Sequence, residues 1–366
     1  MSNLSKYKPQ FTAGHHRYSV SNNYTITNYL KCDGSIVSQS VYPELYAQIG
    51  LLVNNTEISG ITWTTRTSGT TNQINALTYG NGLYVYGGQD GMLATSTNAI
   101  TWTTRTSGVF PTALQALTYG NGLYVYAGVG GVLATSTNAI TWTTRTSGTT
   151  SQINALIYGN GLYVYAGVGG VLATSTNAIT WTTRTSGTIS TIYALTYGNG
   201  VYVYGGLSAA LGTSTDGITW TARTPVSSNF ILSLTYGNGL YVYAGSSVLA
   251  TSTDAITWTS RAYGTTAAVY ALTYNIGLYV YAGQGGALGT STNAITWTAR
   301  SSGTTNLIYA LTSNILNGYV YAGLGGALAT SPGPYTYNIS TEFVLPTSIN
   351  NSITVGSRLT AHIKYR

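Results

Sequence analysis

Seven arginines recur at one position: Arg66, Arg105, Arg145, Arg184, Arg223, Arg261 and Arg300 each stand three residues after a tryptophan. They are half of the 14 cations in a chain with 7 acidic residues and a formal net charge of +7. A guanidinium is a planar fork of donors, so a rim of such groups is suited to phosphate or uronate oxygens. So strict a repeat also has a structural reading: an arginine that bonds carbonyls of the next repeat, or that blunts an exposed sheet edge. No block of Lys and Arg tracks along the chain as a phosphate-backbone site would require, which argues against nucleic acid as a partner.

Acid–base chemistry has few candidates. The acidic residues are Asp33, Glu44, Glu57, Asp90, Asp216, Asp254 and Glu342. Asp216 and Asp254 fall in a repeated turn, and Asp90 alone lies on a loop able to face the centre of an array of repeats. A glycosidase needs two carboxylates flanking one bond, so no catalytic residues are assigned and an enzyme is not expected. His15, His16 and His362 lack acidic or Cys companions at ligand spacing, and Cys32 lacks a neighbouring base, so neither a metal nor a cofactor is expected. One cysteine excludes an intrachain disulfide and fits synthesis in a reducing cytoplasm. No stretch approaches the ~20 apolar residues of a membrane span, and the N-terminus has no signal-peptide core, so membrane insertion is not expected.

The elements that must position these groups follow from the repeat. All seven tryptophans sit in Ile-Thr-Trp-Thr-x-Arg, at 63, 102, 142, 181, 220, 258 and 297. Between them recur three short segments, exemplified by 75–80, 83–88 and 92–97, rich in β-branched and aromatic residues and bounded by Gly, Asn and Ser. With the Trp segment, each unit of about 39 residues holds four strands, which is the blade of a β-propeller. Units of the first three strands begin near Ala76, Ala116, Ala155, Ala194, Leu234, Ala271 and Ala310. Only six are followed by their own Trp strand; the seventh, 61–66, precedes them all. The expectation is an all-β, seven-bladed propeller whose last blade takes its outer strand from 61–66. In the second strand Leu83 and Val85 face one way and Tyr84 and Tyr86 the other, which accounts for 33 tyrosines beside so few charges.

The copies also differ. The first–second and third–fourth strand turns are nearly constant and share one face, while the loops of the opposite face vary. The residue before the inner strand runs Asn75, Gln115, Asn154, Tyr193, Leu232, Tyr270, Tyr309: amides on one half of a ring, mainly aromatics on the other. Aromatic faces beside amides suit sugar rings, so Asn75, Gln115, Asn154, Tyr193, Tyr270 and Tyr309 are the candidate ligand contacts. Neutral divergence of exposed loops is the competing explanation.

The turn Ser-Thr-Asn-Ala-Ile-Thr-Trp at Ser96, Ser136, Ser175 and Ser291, with Asp at 216 and 254, resembles the Asp-box of sialidase-like propellers, one residue shorter. The resemblance implies a structural role for the acidic or amide side chain, folded back onto the turn. The copy at Ser331-Pro332-Gly333-Pro334 reads as having lost the motif. The ends of the chain resemble a phage tail-collar domain in two pieces. Tyr29 to Gly50, with Cys32-Asp33-Gly34 and a helix capped by Ser40, matches its opening; Thr341-Glu342-Phe343-Val344-Leu345-Pro346 and Leu359–Tyr365 match its later strands. Thr347-Ser348-Ile349-Asn350 stands where that family has Asp-Leu-Arg-Gly.

These readings imply an N-terminal arm over 1–28, a split collar-like domain of 29–55 plus 335–366 with one short helix, and the propeller over 56–334. They imply a virion tail or fibre component, made in the host cytoplasm, that adheres to host envelope glycan and contacts other tail or fibre proteins. The resemblance brings with it a homo-oligomer, a trimer being common in such fibres. The alternatives are a purely structural baseplate, collar or decoration subunit and, third, a glycan-processing enzyme.

Overall fold

The computed structural model describes residues 60–275, 277–314 and 318–331, together with the backbone strands Tyr29–Lys31, Ile36–Ser38, Glu342–Val344 and His362–Lys364. The chain divides into two compact units, Met1–Thr56 with Tyr335–Arg366, and Glu57–Pro334. In the first, Tyr29–Lys31 pairs antiparallel with His362–Lys364, and Ile36–Ser38 with Glu342–Val344. Segments from the two ends of the chain thus form its sheets. The expected helix from Ser40, the Cys32-Asp33-Gly34 turn, Glu44, Glu57, His15 and His16 lie outside the described residues.

The second unit is a seven-bladed β-propeller of four-stranded antiparallel sheets, with no helix longer than a single 3-10 turn among the described residues. Blade 1 runs Ile74–Gly80, Leu83–Gly88, Met92–Ser96 and Thr103–Thr106 from the inside out. The inner strands of blades 2 to 7 are Leu114–Gly120, Ile153–Gly159, Ile192–Gly198, Ile231–Gly237, Val269–Asn275 and Ile308–Asn314. Each lies beside the next, and the last lies beside Ile74–Gly80, so the ring closes. Blade 7 takes its outer strand from Thr64–Thr65, paired with Ala329 and Thr330.

Each first–second strand turn of blades 1 to 5 is Asn-Gly with both residues left-handed, as at Asn81 (φ 46) and Gly82 (φ 79). This is the two-residue hairpin whose twist matches that of the strands.

The alternation of the second strand decides the packing. Tyr84 and Tyr86 pack toward blade 7, with Ala310, Val320 and Leu328, while Val85 joins Leu114 and Tyr124 of blade 2. The tyrosines are fully buried, so their hydroxyls need partners. One set reaches back across the blade boundary: Tyr124 donates to the carbonyl of Gly80, Tyr163 to Gly120, Tyr202 to Gly159, Tyr241 to Gly198 and Tyr279 to Gly237. The other set bonds the loop leading into its own blade: Tyr86 donates to the Ser68 carbonyl at 2.6 Å and Tyr165 to that of Ser147 at 2.7 Å, while Tyr243 accepts from Val226 N at 3.0 Å. Each tryptophan stacks on the latter set, with Tyr86 and Trp102 centroids 4.7 Å apart.

The glycine ending the inner strand of blades 1 to 5 is required by the neighbouring blade. A Cβ on Gly120 would lie 2.2 Å from Cγ of Tyr158. At the boundary of blades 6 and 7 the pair changes together: Asn275 stands for the glycine and Ser313 for the tyrosine. Asn314 likewise replaces the glycine of blade 7, and its buried amide donates to Tyr84 Oη at 2.8 Å.

Candidate binding face

The loops that vary between copies come together on one face. The turn after each second strand hydrogen-bonds the residue before its own inner strand: Gln89 N to Gln73 O (2.9 Å), Val168 N to Gln152 O (2.9 Å), Leu324 N to Leu307 O (2.8 Å). Serines of the incoming loops fasten them to the preceding blade, as Ser147 Oγ does to Gly131 O at 2.6 Å and Ser186 Oγ to Gly170 O at 2.7 Å.

Within this face the seven positions singled out from sequence share one geometry. Asn75, Gln115, Asn154, Tyr193, Leu232, Tyr270 and Tyr309 do not precede the inner strand; they lie in it. Each is the extra residue of a β-bulge, where the register slips between its two neighbours. A bulge frees one residue from the ladder and re-aims its side chain. All seven are partly exposed, between buried neighbours. The signal was present in the sequence: Ile-Asn-Ala-Leu puts apolar residues at i, i+2 and i+3, a break in the two-residue period.

The two halves of the bulge ring are not equivalent. The Asn75 amide donates to Leu114 O of the next blade (2.9 Å) and accepts from Gln73 (2.6 Å); Asn154 does the same with Ile192 O (3.0 Å) and Gln152 (2.6 Å). These two amides stitch blades together. On the other half, Tyr270 and Tyr309 from adjacent blades meet edge to face, centroids 5.5 Å apart at 77°. Burial, and then the neighbouring Tyr270, push the Tyr309 phenol up from its ordinary pKa. The loops add two groups that the sequence reading did not single out, Phe110 (79% exposed) and Ile189 (91%). Both replace the last threonine of Thr-Ser-Gly-Thr-Thr, as alignment of the copies with 67–71 makes visible.

Arg105 and Arg184 lie in the outermost strands of their blades, and the other five arginines directly follow theirs, at the end nearest this face. Each donates its Nε to a threonine Oγ1 of the adjacent strand in its own blade, as Arg105 does to Thr95 (3.0 Å), Arg184 to Thr174 (2.9 Å) and Arg223 to Thr213 (2.8 Å). Arg66 reaches Thr330 at 2.9 Å across the seam of blade 7. Of the two structural readings, the bond to carbonyls of the adjacent blade is not the one seen: the partner is a hydroxyl of the same sheet.

Asp90 accepts from Asn72 Nδ2 (3.2 Å) in a turn where its own φ is 55°. Asp216 and Asp254 each accept from two backbone N–H groups in the turn before a tryptophan, those of Ile218 and Thr219 and of Ile256 and Thr257, all at 2.8 Å. Those bonds hold Asp216 down at about 2 and Asp254 lower still. Asn98 accepts in the same way from Ile100 and Thr101. The seventh turn is not lost, as its sequence implied. Ser331 Oγ accepts from Gly60 N at 2.7 Å, as Ser214 Oγ does from Gly217 N at 2.8 Å, and Trp63 Nε1 donates to Gly60 O at 3.1 Å. The turn is assembled from both ends of the ring. Among the described residues, no three His, Cys, Asp or Glu side chains gather as a metal site would require.

No family model and no curated protein matches the chain. Solved structures do. YCF48 bound to D1 peptide is 14% identical, covers 77% of this chain and 97% of its own, and superposes with a TM-score of 0.64. Virginiamycin B lyase from Staphylococcus aureus is 12% identical over 74% of this chain and 99% of its own, TM-score 0.66. The WD40 propeller domain of Doa1 is 10% identical over 75% and 97%, TM-score 0.62. At such identities the likeness is one of fold, and a fold shared by a lyase and a WD40 domain leaves catalysis undecided.

Proposed function

We propose that the chain is an adhesive component of a phage tail or fibre, with the propeller as its head and the loop face as the surface that meets envelope glycan. The observation that carries this reading is the aromatic arc of the bulge ring. Tyr193 of blade 4, Leu232 of blade 5 and the edge-to-face pair Tyr270 and Tyr309 of blades 6 and 7 are held by bulges on a closed, rigid ring. Partly exposed rings fixed in this way offer apolar faces for sugar C–H groups and phenols for sugar hydroxyls. Asn75 and Asn154, already committed to holding blades together, become supports rather than contacts. Phe110 and Ile189 extend the apolar part of the face.

The tail assignment rests on the resemblance of the end segments to a collar domain. Pairing of 29–31 with 362–364 and of 36–38 with 342–344 is what such a domain, interrupted by an insertion, would have. The third–fourth strand turns resemble shortened Asp-boxes, and their role in this reading is structural. We further propose that the end unit assembles the chain into a homo-oligomer, a trimer by analogy with other fibres.

The test is adsorption of the purified full chain to a panel of intact bacterial strains, before and after periodate oxidation of surface sugars. Saturable binding to some strains, abolished by periodate and weakened at least tenfold by Tyr270→Ala with Tyr309→Ala, is expected. Binding that survives both changes would overturn the glycan reading.

A second reading, a structural virion subunit, draws on the opposite face. Ile100, Ile140, Ile179, Ile218, Ile256 and Ile295 stand 43% to 51% exposed at equivalent turns of six blades, a repeated set of apolar points suited to docking on other virion proteins. Absence of adsorption on every strain, with co-purification of tail proteins from infected cells that is lost on Ile→Ser substitution there, would favour it.

A further inference from the structure

We propose that the seven rim arginines form a ring of equivalent subsites for the anionic groups of a polyanionic polysaccharide, separate from the aromatic arc. Three observations lead to it. Every one of the seven guanidinium groups is held through Nε by a threonine hydroxyl at 2.8 to 3.0 Å. That bond fixes the plane of the fork, while both Nη groups are without a partner among the described residues. A fork already oriented loses less entropy on binding an oxyanion than a free side chain does.

The second observation is the shape beside the fork. Open depressions lie next to Arg66 and Arg184, the first walled by Thr67–Thr71 and Gly326, the second by Thr185–Ile189 and Gly170. Their walls are fixed, because the loop serines are buried: Ser186 holds Gly170 O, and Ser68 Oγ donates to Thr70 O at 3.0 Å. Threonine hydroxyls and a guanidinium around one hollow are donors for sulfate, phosphate or carboxylate oxygens.

The third observation is charge. None of the described carboxylates pairs with an arginine: Asp90 accepts from Asn72, and Asp216 and Asp254 accept from N–H groups of their own turns. Seven like charges at the rim of one ring make weak single contacts additive along a polymer, and binding then rises with chain length through effective concentration. The subsites do not depend on the aromatic arc, and the probe below contains no bacterial receptor, so failure of one proposal leaves the other standing.

The experiment measures binding of the full chain to dextran sulfate and to neutral dextran of the same length by calorimetry, over a range of salt concentrations. Expected are binding to dextran sulfate alone and a log–log salt slope of about −2 or steeper, at roughly −0.7 per ionic contact. Replacing Arg145, Arg184 and Arg223 together by Gln should weaken binding by about tenfold or more. The Lys replacements keep the charge and should recover part of it. Gln at Lys6, Lys8 and Arg17 should leave affinity unchanged, as should Tyr270→Ala with Tyr309→Ala. Equal affinity for neutral dextran, or a slope near zero in the unmodified protein, overturns the proposal without any variant. Equal loss from the Lys6, Lys8 and Arg17 set also overturns it, since net charge alone would then be responsible.

Discussion

Tyr263 shows how one side chain departs from an otherwise repeated solution. At its position five other blade junctions have serine (68, 107, 147, 186 and 302), buried and bonded or close to a neighbouring loop. Tyr263 fills the space with a ring packed edge to face against Tyr281, centroids 5.9 Å apart at 89°. Its hydroxyl, however, is buried with no hydrogen-bond partner among the described residues. A buried hydroxyl that has left water without replacement costs about 1–3 kcal/mol. Tyr263→Phe keeps the ring and removes the penalty. The expected result is a rise in stability of up to about that amount, read as a higher denaturant midpoint at unchanged slope. A lower midpoint would mean that Tyr263 Oη has a partner in solution.

At the scale of strands, the second strand of each blade carries two tyrosines with different tasks, one binding blade to blade and one binding blade to loop. Burial pushes Tyr86, Tyr163, Tyr165, Tyr202, Tyr241, Tyr281 and Tyr321 up to about 12, and Tyr124, Tyr126 and Tyr279 higher. Their folded values lie above the ~10 of an unfolded tyrosine. The stability they contribute is therefore complete below pH ~10 and is lost as the pH climbs through about 12. Absorbance at 295 nm should show an early wave from exposed phenols, then a late, steep wave coincident with loss of the near-ultraviolet dichroism. One smooth wave near pH 10 with the fold intact would contradict this. The strands themselves were legible in the sequence because tryptophan spacing and the two-residue period are local properties. The bulges were legible only through the broken period of Ile-Asn-Ala-Leu, which the repetition of the motif masked as a strand boundary. What Asn75 and Asn154 bond to was not legible, since Leu114 O and Ile192 O belong to the next blade and depend on how closely two sheets approach.

For the ring as a whole, closure is the decisive contact, because a repeat array is held by nearest-neighbour terms and an open ring exposes an edge. The seam is built from both ends of the propeller segment: Thr64 and Thr65 pair with Thr330 and Ala329, Trp63 packs on Tyr321 at 5.2 Å, and Gly60 N donates to Ser331 Oγ. Chain order makes this junction differ from the six others, which are joined by a continuous turn. Half of the turn motif, Gly60-Ile61-Thr62-Trp63, precedes the repeats and its serine follows them by about 270 residues. Removing the serine hydroxyl should therefore do more here than elsewhere. Ser331→Ala leaves a buried N–H unpaired, a cost of about 1–3 kcal/mol, at the one turn that chain connectivity does not hold shut. Amide hydrogen exchange should accelerate across 60–66 and 328–331 with the other blades unchanged, whereas Ser175→Ala should confine its effect to the turn before Trp181. Equal and local responses from the two variants would show that the seam is no weaker than a continuous blade, and that the remaining strand pairing and the packing of Trp63 suffice to hold the ring closed.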